Sequence, residues 1–251
     1  MISRWAAVLA VVVAAVINTA CTTVEATGER YLPLIGEQEE IRLGRESDRQ
    51  IQRTLGLYPE ESLQEYVDAL GRRIAATTER PDLPWTFRVL DDPVVNAFAL
   101  PGGYIYVTRG ILTHFENEAQ LAGVLGHEIG HVTAKHSVIR IGRLQLARLG
   151  FGVVSIAAPE LERFLPLAGL GLELLFLSYS RENERQSDLL GVRYVTNVGE
   201  DPGELIEVME MLDNVSRGAG AMPAWLSTHP TPANRKQLIA EQIAALEADK
   251  R

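Results

Sequence analysis

His127-Glu128-Ile129-Gly130-His131 restricts the backbone more than any other stretch of this chain, because its two imidazoles can act together only if the residues between them are α-helical. On a helix, positions i and i+4 project from one face, so both rings can reach a single metal ion. Glu128 then falls beside them on the same turn. Two histidines, one further protein ligand and a position left for water make up the ligand pattern of a zinc hydrolase. Zinc lowers the pKa of such a water to about 7, and an adjacent carboxylate can take its proton. Glu128 is therefore the expected general base.

The surroundings of the motif agree with a helix. Asn117 has the character of an N-cap, Gln120 completes a capping box, and Leu121, Val124, Leu125, Ile129 and Val132 give the run an apolar stripe. Two earlier helices are expected as scaffold, one through Ile41, Gly44, Ile51 and Leu55, the other from Pro59 to about Thr78. Between them and the motif the period changes to two. Trp85, Phe87 and Val89 alternate with polar residues, and Asn96 to Leu100 and Tyr104 to Thr108 follow, joined by a Pro101-Gly102-Gly103 turn. The expected fold class is α+β, mainly helical, with a small antiparallel sheet beside the histidine helix. An edge strand at Asn96, Ala97, Phe98 and Ala99 could pair with an extended peptide through main-chain hydrogen bonds, which do not read side chains.

A hydrophobic fraction of 46% with 23% charged residues suits a chain that buries a core, and a formal charge of -9 excludes a nucleic-acid partner, which would require a basic face. The first twenty residues differ from the rest. Arg4 precedes an apolar run from Trp5 to Ile17, too short to span a bilayer, which needs about 20 residues, and right for an export signal. Cys21, the single cysteine, follows it directly, so no disulfide can form within the chain. Resemblance to bacterial lipoprotein signals implies cleavage before Cys21 and acylation there, although Asn18 stands where such signals usually carry an apolar residue. Thr22 after the cysteine favours the outer membrane. The expected division is a signal over 1–20, a tether over 21–35 and one domain over 36–251. A second apolar stretch, 149–177, is interrupted by Pro159 and Pro166. It is expected to pack over the core, cover the active-site groove or face a membrane.

A third metal ligand has to come from elsewhere. Position 137 is Ser137, and His136 stands about 180° around a continuous helix from His127, which predicts a helix-terminal histidine bonded to nearby backbone. The segment from Ser180 to Asp188 is the better supplier. Glu184 and Asp188 share one helix face, and Ser187 and Gly191 on the same side are small enough for close approach to the His127 helix. With Glu184 as ligand, Asp188 is free to accept a hydrogen bond from the outer nitrogen of a ligating histidine. Spacing alone leaves Glu182 as a competitor.

These motifs together resemble the HtpX and CAAX-prenyl-protease family of gluzincin metallopeptidases, and within it the periplasmic BepA-like and LoiP-like branch. The resemblance runs from about Gly36 to Arg235. It is carried by Val95 to Gly103, by His127 to His131 with His136 and Ser137, by Ser180-Arg181 through Glu184 and Asp188, and by Thr228-His229-Pro230. It implies His127, His131 and Glu184 as ligands of one zinc ion, Glu128 as catalytic base and Asp188 as the partner behind a ligand. It also favours Glu184 over Glu182. His229, on a loop held by Pro230 and Pro232, is expected either to donate to the oxyanion or to take the open zinc position at rest, with Arg235 holding that loop. The sequence as given stops at Arg251 without the tetratricopeptide array of longer relatives. The expected function is a zinc endopeptidase of the bacterial envelope, lipid-anchored through Cys21 in the periplasm, that degrades unfolded or misassembled proteins. The alternative is an assembly factor for outer-membrane proteins whose zinc site stays occluded.

Overall fold

The computed structural model describes residues 21–150, 178–219, 223–230 and 234–249. The expected export signal, residues 151–177 of the second apolar stretch, and Pro232 lie outside them. In chain order the elements are β1 (Thr22–Thr23), β2 (Arg30–Tyr31), α1 (Glu37–Leu55), α2 (Glu61–Ala75), β3 (Thr86–Leu90), β4 (Ala97–Leu100), β5 (Tyr104–Thr108) and α3 (Arg109–Leu112). There follow α4 (Glu118–Thr133), α5 (His136–Gly150), α6 (Arg181–Asn197), α7 (Glu204–Ala219), α8 (Ala224–Thr228) and α9 (Arg235–Asp249). The class is α+β and mostly helical, as the periodicities predict.

The sheet differs from the expectation in one respect. Its order is β3-β5-β4, with β4 antiparallel to β5 but β3 parallel to it, so the sheet is mixed. Alternation identifies strands and their faces but not their neighbours. Burial does not separate centre from edge either, since β4 and β5 are each buried along their whole length. Gly102 and Gly103 close the β4–β5 turn at φ of +77° and +92°, where a Cβ would be strained. The polar stretch expected as a tether carries the β1–β2 ribbon, and two apolar anchors within it, Val24 and Ile35, are buried.

α4 lies at the centre of the molecule. Every residue from Gln120 to Thr133 is buried, so this helix has no solvated face. Asn117 Oδ1 accepts from the Gln120 amide at 2.9 Å as an N-cap, while the Gln120 side chain reaches back to the Glu116 amide instead of the Asn117 amide. α6 crosses α4 at backbone contact. A Cβ on Gly191 would stand 2.9 Å from the His127 amide nitrogen, and one on Gly130 would stand 2.8 Å from the Ser187 carbonyl oxygen. The small residues expected to allow close approach therefore do so, and Gly126 and Gly130 match them from the other helix. α6 starts from a full capping box between Ser180 and Asn183.

Candidate metal centre

Side chains from α4, α6 and the residue after α8 converge on one point. His127 Nε2 and His131 Nε2 are 3.0 Å apart, Glu184 Oε2 is 3.5 Å from the first, and Glu184 Oε1 is 3.4 Å from the second. His229 Nδ1 completes the group at 3.2 Å from His127 Nε2 and 3.1 Å from Glu184 Oε1. All four residues are buried, and they are the one group of this kind among the described residues. Glu182, the competitor from spacing, points to the exposed side and pairs with Arg185.

Two tests bear on whether this set suits a metal. The first is the donor spacing: tetrahedral coordination at about 2.0–2.2 Å places ligand atoms about 3.3–3.6 Å from one another, close to what is seen here. The second is proton accounting. His127 Nδ1 faces Asp188 Oδ1 at 2.9 Å, so it carries the ring proton and leaves the Nε2 lone pair directed at the centre. Glu128 Oε2 is buried with no hydrogen-bond partner, and Glu184 Oε2 has no hydrogen bond but stands 3.1 Å from the Arg235 guanidinium. Imidazole lone pairs that face one another beside a carboxylate call for a cation at their centre, and two imidazoles with one carboxylate suit zinc.

The electrostatics follow from burial and pairing. Burial pushes His131 well below its ordinary range, so the ring is neutral and its lone pair is available. Burial opposes the charge on Glu184, but His229 and His131 beside it hold its carboxyl well below the usual range. Burial likewise opposes Asp188, and Arg235 and His127 outweigh it. His229 is raised, because Glu184 and Glu128 overcome the effect of burial.

Glu128 is held by one oxygen. The Trp225 indole N–H donates to Oε1 at 3.1 Å, and His229 Nε2 is 3.5 Å from the same atom. Trp225 is itself fully buried, stacked on His229 at 4.9 Å between ring centres. The Tyr179 ring stacks on His131 at 3.9 Å.

Two expectations need correction. His136 is not bonded to nearby backbone. Lys135 adopts a left-handed φ of 56°, α4 ends, and α5 begins at His136, so the continuous-helix argument does not apply. The His136 ring meets His131 Nδ1 at 2.9 Å and Gln186 Oε1 at 2.9 Å. Nor is Arg235 mainly a loop holder. It grips both oxygens of Asp188 at 2.6 and 2.8 Å, stands 3.1 Å from Glu184 Oε2, and lies over the Trp225 ring. Burial disfavours its charge, and the carboxylates of Asp188 and Glu184 more than compensate. Spacing did not mark Trp225; the available signal was a lone tryptophan four residues before His229, one helical turn away.

Of the expected edge-strand residues, Ala97, Phe98 and Ala99 lie in β4 and Asn96 immediately precedes it. β4 pairs only with β5 among the described residues, and its other side is an edge. The Trp225 amide donates to the Val95 carbonyl at 3.3 Å, which ties the α8 segment to the entrance of that strand.

Comparison with known proteins gives a consistent result. The profile of "Peptidase family M48" matches residues 61–243. A mitochondrial metalloendopeptidase OMA1 of Arabidopsis thaliana is 34% identical over 175 residues, 69% of this chain and 35% of that protein. A putative beta-barrel assembly-enhancing protease of Vibrio cholerae is 32% identical over 185 residues, 69% of this chain and 37% of that protein. The beta-barrel assembly-enhancing protease of Escherichia coli K12 is 28% identical over 206 residues, 78% of this chain and 42% of that protein. The chain thus spans less than half the length of these three relatives.

Proposed function

The chain belongs to peptidase family M48, and from that premise we propose that it is a zinc-dependent endopeptidase that degrades unfolded or misassembled proteins of the bacterial envelope. The observation that carries the reading is the convergence of His127 Nε2, His131 Nε2 and Glu184 on one buried point, with the Glu128 carboxylate beside it. In this reading His127, His131 and Glu184 hold one zinc ion, which when bound supplies Lewis acidity toward a peptide carbonyl and a water of lowered pKa. Glu128 Oε2, left without a partner while Trp225 holds Oε1, takes a proton from the attacking water and returns it to the leaving amine. Asp188 fixes the His127 ring with its proton on Nδ1. Substrate in extended form adds to the edge of β4 along Asn96 to Ala99 through backbone hydrogen bonds, which favours unfolded chain over folded protein. Cys21 would carry the lipid that anchors the protein on the periplasmic side of the outer membrane. No helix among the described residues is long and apolar enough to cross a membrane.

A second reading is favoured by His229, whose Nδ1 occupies the fourth corner of the donor set. With that corner filled, the protein would act as an assembly factor for outer-membrane proteins and cleave rarely. Glu128→Gln decides between the two. Digestion of casein or an unfolded porin should fall by at least about 100-fold, the usual size of a general-base contribution, with zinc content still near one per chain. Equal fragment yields from mutant and wild type would eliminate the peptidase reading.

A further inference from the structure

We propose that His136 and Gln186 are positioning residues that fix the tautomer and ring angle of His131, by a hydrogen-bond relay that holds this ring without a negative charge. The inference rests on the metal centre described above. It starts from an asymmetry between the two histidines of the motif. Behind His127 stands a carboxylate, Asp188, with its charge balanced by Arg235. Behind His131 stands another imidazole: His131 Nδ1 and His136 Nδ1 are 2.9 Å apart, and both rings are buried.

The proton positions in this relay are determined step by step. If His131 gives its Nε2 lone pair to a metal, its ring proton is on Nδ1 and must be donated to His136 Nδ1. His136 then carries its own proton on Nε2, and Nε2 faces Gln186 Oε1, an acceptor, at 2.9 Å. The Gln186 amide nitrogen in turn faces acid oxygens, Glu182 Oε1 at 3.1 Å and Glu29 Oε2 at 3.5 Å. Each donor meets an acceptor along the path, and reversing any one ring would set two donors or two lone pairs against each other. The Ser187 hydroxyl, 3.4 Å from His136 Nδ1, adds a weaker contact at the same atom.

The choice of a neutral acceptor has a physical reason. Acids already crowd this side of the centre: Glu184 stands 3.4 Å from His131 Nε2, and Glu182 and Glu29 meet the Gln186 amide. Another buried anion at this place would need a cation of its own, as Asp188 needs Arg235. An imidazole supplies the lone pair without the charge.

Zinc affinity of the full-length protein, measured by competition with a fluorescent chelator, tests the relay. Partners behind metal ligands typically change affinity about 10- to 100-fold, and His136→Leu should weaken zinc binding by that factor. His136→Asn, whose Oδ1 can sit where Nδ1 sat, should remain within about threefold of wild type, with Gln186→Leu between the two. Long-range proton–nitrogen NMR of the zinc-loaded protein should find His136 protonated on Nε2 and His131 on Nδ1. Wild-type affinity in a folded His136→Leu, or a His136 proton on Nδ1, would overturn the proposal. Should His136→Leu not fold, His136→Asn, Gln186→Leu and the tautomer measurement decide it alone. Failure of the metal centre itself gives a different signature, in which Glu184→Gln binds zinc as tightly as wild type, and the relay then falls with it.

Discussion

Glu128 has two chemically equivalent oxygens, and the protein makes them unequal. Oε1 is held by the Trp225 indole, which can only donate, and Oε2 is left free. Trp225→Phe keeps a ring to stack on His229 and deletes the donor. A hydrogen bond to a charged group is worth about 1.5–3 kcal/mol, so kcat should drop about 10- to 100-fold, with KM and zinc content unchanged. Steady-state kinetics with parallel metal analysis checks this, and a change confined to KM would contradict it. At this scale the local pattern was legible and the distant partners were not. His127, Glu128 and His131 follow from helical spacing alone, whereas Glu184 and Glu182 are two nearby acids on one predicted helix, and the packing of α6 is what turns Glu184 inward and leaves Glu182 exposed. Trp225, His136 and Arg235 reach the site through tertiary packing that no periodicity encodes. The left-handed Lys135, in particular, has no glycine to announce it.

Between elements, the decisive contact is α4 against α6. Glu184 can meet the imidazoles only because Gly126, Gly130, Ser187 and Gly191 let two backbones touch. Gly191→Ala would push a methyl to 2.9 Å from the His127 amide nitrogen and 3.0 Å from the Gly126 carbonyl carbon, backbone atoms that cannot rotate away. The expected cost is about 1–3 kcal/mol of stability, together with weaker zinc binding as Glu184 is displaced. Gly218→Ala is the control: a Cβ there meets nothing within 4 Å, on an exposed turn of α7. It should be neutral or stabilise by up to about 1 kcal/mol, without effect on the metal. Urea titrations of both variants, with and without zinc, separate the two outcomes. The sequence marked Ser187 and Gly191 for this role because they share a face with Glu184, and period two marked all three strands of the mixed sheet. It could not give the strand order, since a parallel β3–β5 pair leaves the same alternation as an antiparallel one.

Across the whole molecule, Glu40 ties distant parts together. Its buried carboxylate receives Arg80 at 2.8 Å on each oxygen, Lys135 at 3.3 Å and the Gly102 amide at 3.2 Å, joining α1, the β4–β5 turn and the end of α4. Burial opposes its ionisation, yet Arg80 brings the pKa below the ordinary 4.5. A carboxyl depressed on folding stabilises fully above its unfolded value and loses that contribution as pH falls through the folded one. Glu40→Gln should therefore cost about 3–5 kcal/mol at neutral pH, and its deficit against wild type should shrink below about pH 4.5. Denaturant titrations at pH 7 and pH 4 check the sign, and a gap that widened in acid would refute it. Such a clamp is invisible in sequence because Glu40, Arg80 and Lys135 lie in three separate segments. The same holds for the last helix. Arg235 is its first residue and sits inside the centre, while Ile239 packs on Val192, Leu205 and Met209 outside it. α9 is thus a lever whose short arm ends on Asp188. Trimming its far end turn by turn should loosen the ion's hold step by step, although none of the removed side chains comes near it.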